Sequence, residues 1–280
     1  MTALELEHVS RHFETPDGRS YCALDEVSLV VPAGAFVAIV GPSGCGKSTL
    51  LNIAAGLLMP SSGRVRVDGE VLAGLNRRAT YMFQQDALLP WKNVRENVAL
   101  GLTLGGVARA EGHARADEWL ARVGLTAFAT HYPAQLSGGM RKRVTMAQNW
   151  IIDRGMLLMD EPFSALDVHT RQRMETELLT LWEATAERAE DAETNDSRRA
   201  PRLKKTVVFV THDLEEAIAL ADEVVVLSAG PASRIVARHP VTLDRPRDLF
   251  ELRTSPAFIE LYRALWAVLR DEVIKSQRLA

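Results

Sequence analysis

The sequence predicts an α/β fold: a mostly parallel sheet flanked by helices, with an antiparallel β layer before it and an all-helical segment inserted into it. Three observations predict it. The apolar run Ala35-Phe36-Val37-Ala38-Ile39-Val40 passes through the glycine-rich stretch 41–49 into the helical pattern Leu50 to Ala55. Short apolar runs recur at Met156-Leu157-Leu158-Met159, Thr206-Val207-Val208-Phe209-Val210 and Glu223-Val224-Val225-Val226-Leu227, with helical stretches between them. This is the spacing of parallel strands joined by crossover helices. From Asn93 to about Gly155 only helical periodicity is found, around Val94 to Leu102, Ala110 to Val123 and Met140 to Ile152.

The remaining elements follow in order. Leu4 to Val9 alternates apolar and polar residues, and Leu24 to Val31 is a second β-rich run that Pro32 and Gly34 turn. Together they predict the antiparallel layer. Gly56 and Pro60-Ser61-Ser62-Gly63 stop the first helix, and Arg64 to Gly69 alternates into an Asp-Gly turn that predicts a hairpin. Ala79 to Phe83 reads as a short strand ending at Gln84, and Leu88-Leu89-Pro90-Trp91 breaks the pattern. Ser255 to Lys275 sets Phe258, Leu261, Tyr262, Leu265, Val268 and Leu269 at helical spacing, a stripe expected to pack on its own domain.

The chain has 280 residues, 47% hydrophobic and 25% charged, ordinary for a large globular core. Its 33 Lys and Arg against 36 Asp and Glu give a formal net charge of −3, which offers no broad basic field for nucleic acid. No apolar run has bilayer-crossing length and the N-terminal residues lack a signal-peptide pattern, so a cytosolic location is expected. Cys22 and Cys45 are the two cysteines, and both are expected as free thiols. Between Ala184 and Lys205 the residues turn acidic and then basic, a composition expected for a solvated, poorly ordered extension.

The chemistry centres on Gly41-Pro42-Ser43-Gly44-Cys45-Gly46-Lys47-Ser48-Thr49. A glycine-rich turn between a strand and a helix points successive N–H groups at one spot, which suits a polyphosphate. In such a Walker A loop Lys47 reaches the β- and γ-phosphates and Ser48 holds the bridging magnesium. The position of Cys45 among those N–H groups predicts added thiolate character. Met156 to Met159 delivers Asp160 and Glu161 to a strand end, where the first carboxylate can hold magnesium and the second can polarise water. Leu136-Ser137-Gly138-Gly139-Met140 stands upstream of them, Ser164-Ala165-Leu166-Asp167 just downstream, and His212 follows another apolar strand.

In this order the motifs resemble the nucleotide-binding subunit of ATP-binding cassette (ABC) transporters, a P-loop NTPase fold, over nearly all of Leu4 to Arg238. Leu88-Leu89-Pro90-Trp91 with Ser137-Gly138-Gly139-Met140 is similar to the bacterial nitrate, sulfonate and taurine importer branch. The resemblance implies ATP and magnesium as ligands. It also implies head-to-tail homodimers in which Ser137, Gly138 and Gly139 of one chain complete the site of the other. Glu161 would act on the attacking water, His212 on the γ-phosphate, Gln84 on magnesium and water, and Asp167 across the interface. Phe13 matches the adenine-stacking position, although Tyr21 is also available. Two transmembrane permease subunits, and through them a periplasmic or lipid-anchored substrate-binding protein, are the implied partners at the cytoplasmic face of the inner membrane. They would dock in a groove beside Gln84 and Trp91. A single domain over 1–280 is expected: an α/β core at 1–83 and 156–240, a helical subdomain at 84–155, a charged insertion at 186–204 and a helical extension at 241–280. Met140 and the stretch Gln148-Asn149-Trp150 depart from the commonest family pattern. A soluble ABC-type ATPase and a non-hydrolysing ATP sensor are the alternatives; intact Glu161 and His212 argue against the sensor.

Overall fold

The computed structural model describes residues 1–164, 166–195 and 204–279, the side chains of 186–195 and 279 excepted. Strands β1 (Thr2–Glu14) and β2 (Ser20–Pro32) form a long antiparallel hairpin, with Phe13 opposite Tyr21. The chain then enters β3 (Phe36–Val40), crosses the glycine-rich loop and forms α1 (Lys47–Ala54). Strands β4 (Ser62–Val67) and β5 (Glu70–Val71) close the predicted hairpin, and β6 (Ala79–Met82) precedes the helical segment.

That segment contains α2 (Val94–Val98), α3 (Leu100–Leu104), α4 (Arg109–Arg122) and α5 (Gly138–Trp150). Asn93 starts α2 with a reciprocal cap: its side chain accepts from the Glu96 N–H at 2.9 Å while the Glu96 carboxylate accepts from the Asn93 N–H at 3.3 Å. The single helix expected from Val94 to Leu102 is split at Ala99, which ends α2 and starts α3.

Strand β7 (Met156–Asp160) then leads to α6 (Val168–Asn195), β8 (Thr206–Thr211), α7 (Leu214–Leu220), β9 (Glu223–Leu227), β10 (Ile235–Pro240), α8 (Leu249–Leu252) and α9 (Pro256–Leu279). One expectation changes here. The backbone of α6 stays helical to Asn195, so the charged extension expected to be disordered from Ala186 is helical over its first part. Ala and Glu recur in that part and are strong helix formers. The rest of the extension, 196–203, lies outside the described residues.

The strands make a four-stranded sheet ordered β2-β1-β4-β5 and a six-stranded sheet ordered β10-β9-β3-β8-β7-β6. In the second sheet β3, β6, β7, β8 and β9 run parallel and β10 pairs antiparallel with β9. Every residue of β3, β7 and β8 is buried, as expected for strands covered on both faces. One face packs on α6, α7 and α9. There Phe36 makes edge contacts with Trp182 at 5.3 Å and Phe209 at 5.5 Å, and Phe258, Leu265 and Leu269 of the C-terminal stripe join the same core. The other face packs on α1 and the antiparallel sheet through Ile39, Leu50, Leu4 and Leu29. A third core around Val94, Val98, Leu120 and Val144 holds the helical layer together. Parallel strands put all their C-terminal ends on one edge, and the loops carrying the candidate residues emerge from it.

Candidate nucleotide site

Gly46 is where the loop turns into α1. Its φ of +90° is open to glycine, and a Cβ there would lie 2.9 Å from Leu24 Cδ2. At Gly41 the constraint is closeness: a Cβ would meet Cys45 Sγ at 2.7 Å. Between them Ser43 and Gly44 are exposed while Pro42 is buried. Lys47 is 6% exposed, and its ammonium donates to the carbonyls of Gly41 at 2.8 Å and Pro42 at 3.0 Å. The cation is therefore held inside the loop at the positive end of α1, where two favourable fields for an anion add. Thr49 is half-buried on the first turn.

Strand β7 supplies the acid. Ser48 Oγ donates to Asp160 Oδ1 at 2.9 Å, and the Tyr81 hydroxyl reaches Asp160 Oδ2 at 3.4 Å. Burial pushes the Asp160 carboxyl up from its ordinary value, against the pull of the Ser48 and Tyr81 hydroxyls. Burial likewise raises the Tyr81 phenol, helped by the Asp160 charge. A hydroxyl and a carboxylate facing each other at a phosphate loop are hard oxygen donors of the kind magnesium takes alongside substrate phosphates.

Glu161 follows with φ of +42°, an uncommon conformation for a side chain of its size, pinned by its N–H to the Val210 carbonyl at 3.0 Å. This bend turns the carboxylate out of the strand. Gln84 Nε2 donates to Glu161 Oε2 at 3.1 Å from the end of β6, and His212 Nδ1 lies 3.3 Å from the same oxygen after β8. Two residues far from each other and from Glu161 in sequence therefore converge on one of its oxygens. Asp213 caps α7 beside His212, and Arg171 pairs with Asp213 at 3.0 Å.

Ser137, Gly138 and Gly139 begin α5, where Ser137 accepts from the Met140 N–H at 3.3 Å. Among the described residues no hydrogen bond or ion pair joins them to Lys47, Ser48 or Glu161 of the same chain. Gly139 instead sits against Thr170: a Cβ there would lie 2.7 Å from Thr170 Cγ2. Asp167 accepts from the Thr170 N–H at 3.0 Å, which holds its carboxyl below the usual range. Ala165 of the same stretch lies outside the described residues. Phe13 is half-buried with the Arg11 guanidinium 4.6 Å from its ring centre, whereas the Tyr21 hydroxyl approaches Gly230 near the Gly44 carbonyl.

One expectation fails outright. Cys45 is fully buried, and burial raises its thiol against the opposing influence of Lys47, so the predicted thiolate character is absent. The neighbouring N–H groups are real, but desolvation of the sulfur outweighs them. Neither cysteine is in a disulfide.

Sequence reasoning missed two contacts. In the sequence Tyr81 is only part of a strand pattern, and Lys142 only part of a helical one. The buried Lys142 ammonium donates to the Gln84 carbonyl at 2.8 Å and lies 3.6 Å from Asp86, which Arg141 also meets at 3.2 Å. A charged residue placed where the α5 pattern faces the core was the available signal. Beside this linkage runs a groove of about 340 Å³ lined by Leu57, Leu75, Phe83, Leu104, Gln148 and Ile152, among others. Trp91 is 71% exposed, which excludes a core role, but it is not among the groove-lining residues.

With this geometry in hand, the chain matches the ABC transporter family over residues 24–164. It belongs to that family. A taurine import ATP-binding protein of Rhizobium johnstonii is 43% identical over 272 residues, covering 96% of this chain and 97% of the relative. The corresponding protein of Pseudomonas aeruginosa is 41% identical over 269 residues, covering 95% of each. An ABC transporter ATP-binding protein of Methanocaldococcus jannaschii is 41% identical over 273 residues, covering 98% of this chain and 93% of the relative. Among solved structures, a dimeric bacterial ABC transporter cassette superposes with a TM-score of 0.71 at 32% identity, covering 86% of this chain and 100% of the other. A dimeric cassette in a post-hydrolysis state with ADP and phosphate gives 0.70 at 31% identity, with the same coverage. The chain is thus a nucleotide-binding ATPase of the ABC transporter family. Among the described residues no helix is long and apolar enough to cross a membrane.

Proposed function

We propose that this cassette is the motor of a bacterial importer for taurine or a related small sulfonate or anion, working at the cytoplasmic face of the inner membrane. The convergence of Gln84 and His212 on the Glu161 carboxylate, one residue from the Ser48–Asp160 pair, carries the catalytic part of this reading. The relatives named for taurine import, 41% to 44% identical over most of the chain, support the substrate class.

Lys47 and the loop 41–49 bind the phosphates of ATP, and Phe13 stacks on the adenine. Ser48, Asp160 and Gln84 would hold magnesium, which would supply positive charge to offset that of the ATP phosphates. Glu161 orients and polarises the attacking water, while His212 contacts the γ-phosphate from β8. Ser137, Gly138 and Gly139 present the N-terminal end of α5 to the ATP of a second chain, with Asp167 working across the same interface. ATP closes the two chains on each other, and hydrolysis releases them. That motion reaches two permease subunits through the groove beside β6 and α5, and a substrate-binding protein delivers cargo on the far side.

Uptake tests the substrate part. Cells lacking this chain are expected to lose ATP-dependent accumulation of radiolabelled taurine and to regain it with the wild-type chain but not with Glu161→Gln. Unaltered taurine, alkanesulfonate and nitrate uptake in the deletion strain would overturn it.

A further inference from the structure

A second cavity of about 360 Å³ opens at the edge of the sheet opposite the phosphate loop. It lies where β7 and β8 begin, at Met156 and Thr206, whereas Asp160 and His212 stand at or beyond the other ends of those strands. The five residues of β7 from Met156 to Asp160 span about 13 Å, so the two sites are distinct. The walls come from both layers: Trp119 and Arg122 of α4, Trp150 at the end of α5, and Lys205 just before β8.

Three features mark it as a built site. Lys205 is 7% exposed, its ammonium makes no hydrogen bond to another described residue, and it lies 4.9 Å from the Trp150 ring centre. Burial holds this amine down at about 8, with the Asp153 carboxylate opposing that shift. The Trp150 indole N–H is buried without a hydrogen-bond partner among the described residues, a deficit that a bound acceptor would remove. Trp119 stands 6.5 Å from Trp150 at an interplanar angle of 32°, with the Arg122 guanidinium 4.6 Å over its ring. Arg78, Arg154 and Lys204 also line the cavity, against Asp68 and Asp153, and Arg78 is 3.5 Å from Asp68. Arg154 donates to the Ala79 carbonyl at 2.7 Å, and Lys204 lies over Trp182 at 3.2 Å. The balance is cationic, and the two indoles make a flat apolar wall.

We propose that this cavity is a regulatory site for a small organic anion, an acid group of sulfonate or carboxylate type on a flat apolar body. The acid group meets Lys205 and the Trp150 N–H, and the apolar body lies along Trp119 and Trp150. Regulation follows from the position of α5. Trp150 ends the helix that Ser137 begins, and its 13 residues span about 20 Å. A ligand bridging Trp119 and Trp150 to the start of β8 fixes the helical layer against the sheet and so hinders any movement of Ser137 that ATP-driven closure requires.

Benzenesulfonate is the probe, titrated calorimetrically into the full chain with and without saturating ADP. Saturable binding at one site per chain is expected, unaffected by ADP, about ten-fold or more tighter than benzyl alcohol or inorganic phosphate, and accompanied by a slower ATPase. Lys205→Met preserves the stem of the side chain and is expected to weaken binding about ten-fold or more while leaving the ATPase without probe unchanged. Trp150→Phe, which removes the N–H, is expected to weaken it by a smaller factor. No saturable binding, displacement by ADP, equal affinity for benzyl alcohol or phosphate, or full affinity in Lys205→Met would each overturn the site. Binding with an unchanged ATPase would overturn the regulation.

Discussion

Lys142 and Gln84 are joined across 58 residues of sequence by a hydrogen bond of 2.8 Å from the lysine ammonium to the glutamine backbone carbonyl. Burial lowers the Lys142 amine against the pull of Asp86. The bond ties the helix begun by Ser137 to the strand end whose side chain contacts Glu161, so a shift of that helix bears on the position of Gln84. Lys142→Met is expected to cost about 1–3 kcal/mol by leaving the carbonyl and Asp86 poorly satisfied. It is also expected to lower kcat several-fold with little change in KM for ATP. Denaturant unfolding and steady-state kinetics check both, and an unchanged kcat would remove the linkage from the mechanism.

Glu161→Gln keeps the shape of the side chain but loses the charge that polarises water. Turnover is expected to fall by at least about 10²-fold with ATP binding retained. An ATP-dependent dimer then accumulates, visible by size-exclusion chromatography with light scattering. Near-normal turnover would take Glu161 out of the catalytic role.

Glu216 is bonded to the residue before His212: the Thr211 hydroxyl donates to its carboxylate at 2.6 Å. Burial pushes its carboxyl up from 4.5 to about 8, a shift that the Thr211 hydroxyl opposes. A carboxyl that keeps its proton longer in the folded chain contributes fully below about 4.5. That contribution is lost as pH rises through about 8, with a slope of at most about 1.4 kcal/mol per pH unit. Glu216→Gln retains an acceptor for Thr211 and is expected to flatten the decline in melting temperature between pH 6 and 9. An unaltered pH profile would contradict this assignment.

Much of the fold and the outline of the site were legible in the sequence. The strand, glycine-rich turn and helix around Lys47, and the carboxylates after Met159, are local patterns whose geometry the backbone dictates. Lys142–Gln84 and Tyr81–Asp160 are contacts between distant segments, and periodicity carries no information about them. Cys45 departs from its sequence expectation because burial, not the neighbouring N–H groups, dominates its thiol. The helical start of the charged extension is hidden in the sequence because a helix rich in Ala and Glu shares its composition with disordered chain.

Trp91 is exposed on a proline-broken loop. Trp91→Ala is expected to leave stability within about 0.5 kcal/mol and basal ATPase unchanged, while weakening co-purification with the permease subunits and reducing uptake. A stable variant with full transport would exclude a coupling role.

The central claim is that each ATP site is completed by the Ser137 end of a second chain. Mixing Lys47→Ala chains with Ser137→Arg chains tests it most directly. Each variant alone has two defective sites, whereas a head-to-tail mixed dimer contains one intact site made of Lys47 from one chain and Ser137 from the other. The account predicts that mixing two inactive preparations restores ATPase activity, to about a quarter of the wild-type rate if half the dimers are mixed and half their sites are intact. If activity stays at the level of the separate variants while mixed dimers form, the site lies within one chain and the account is contradicted.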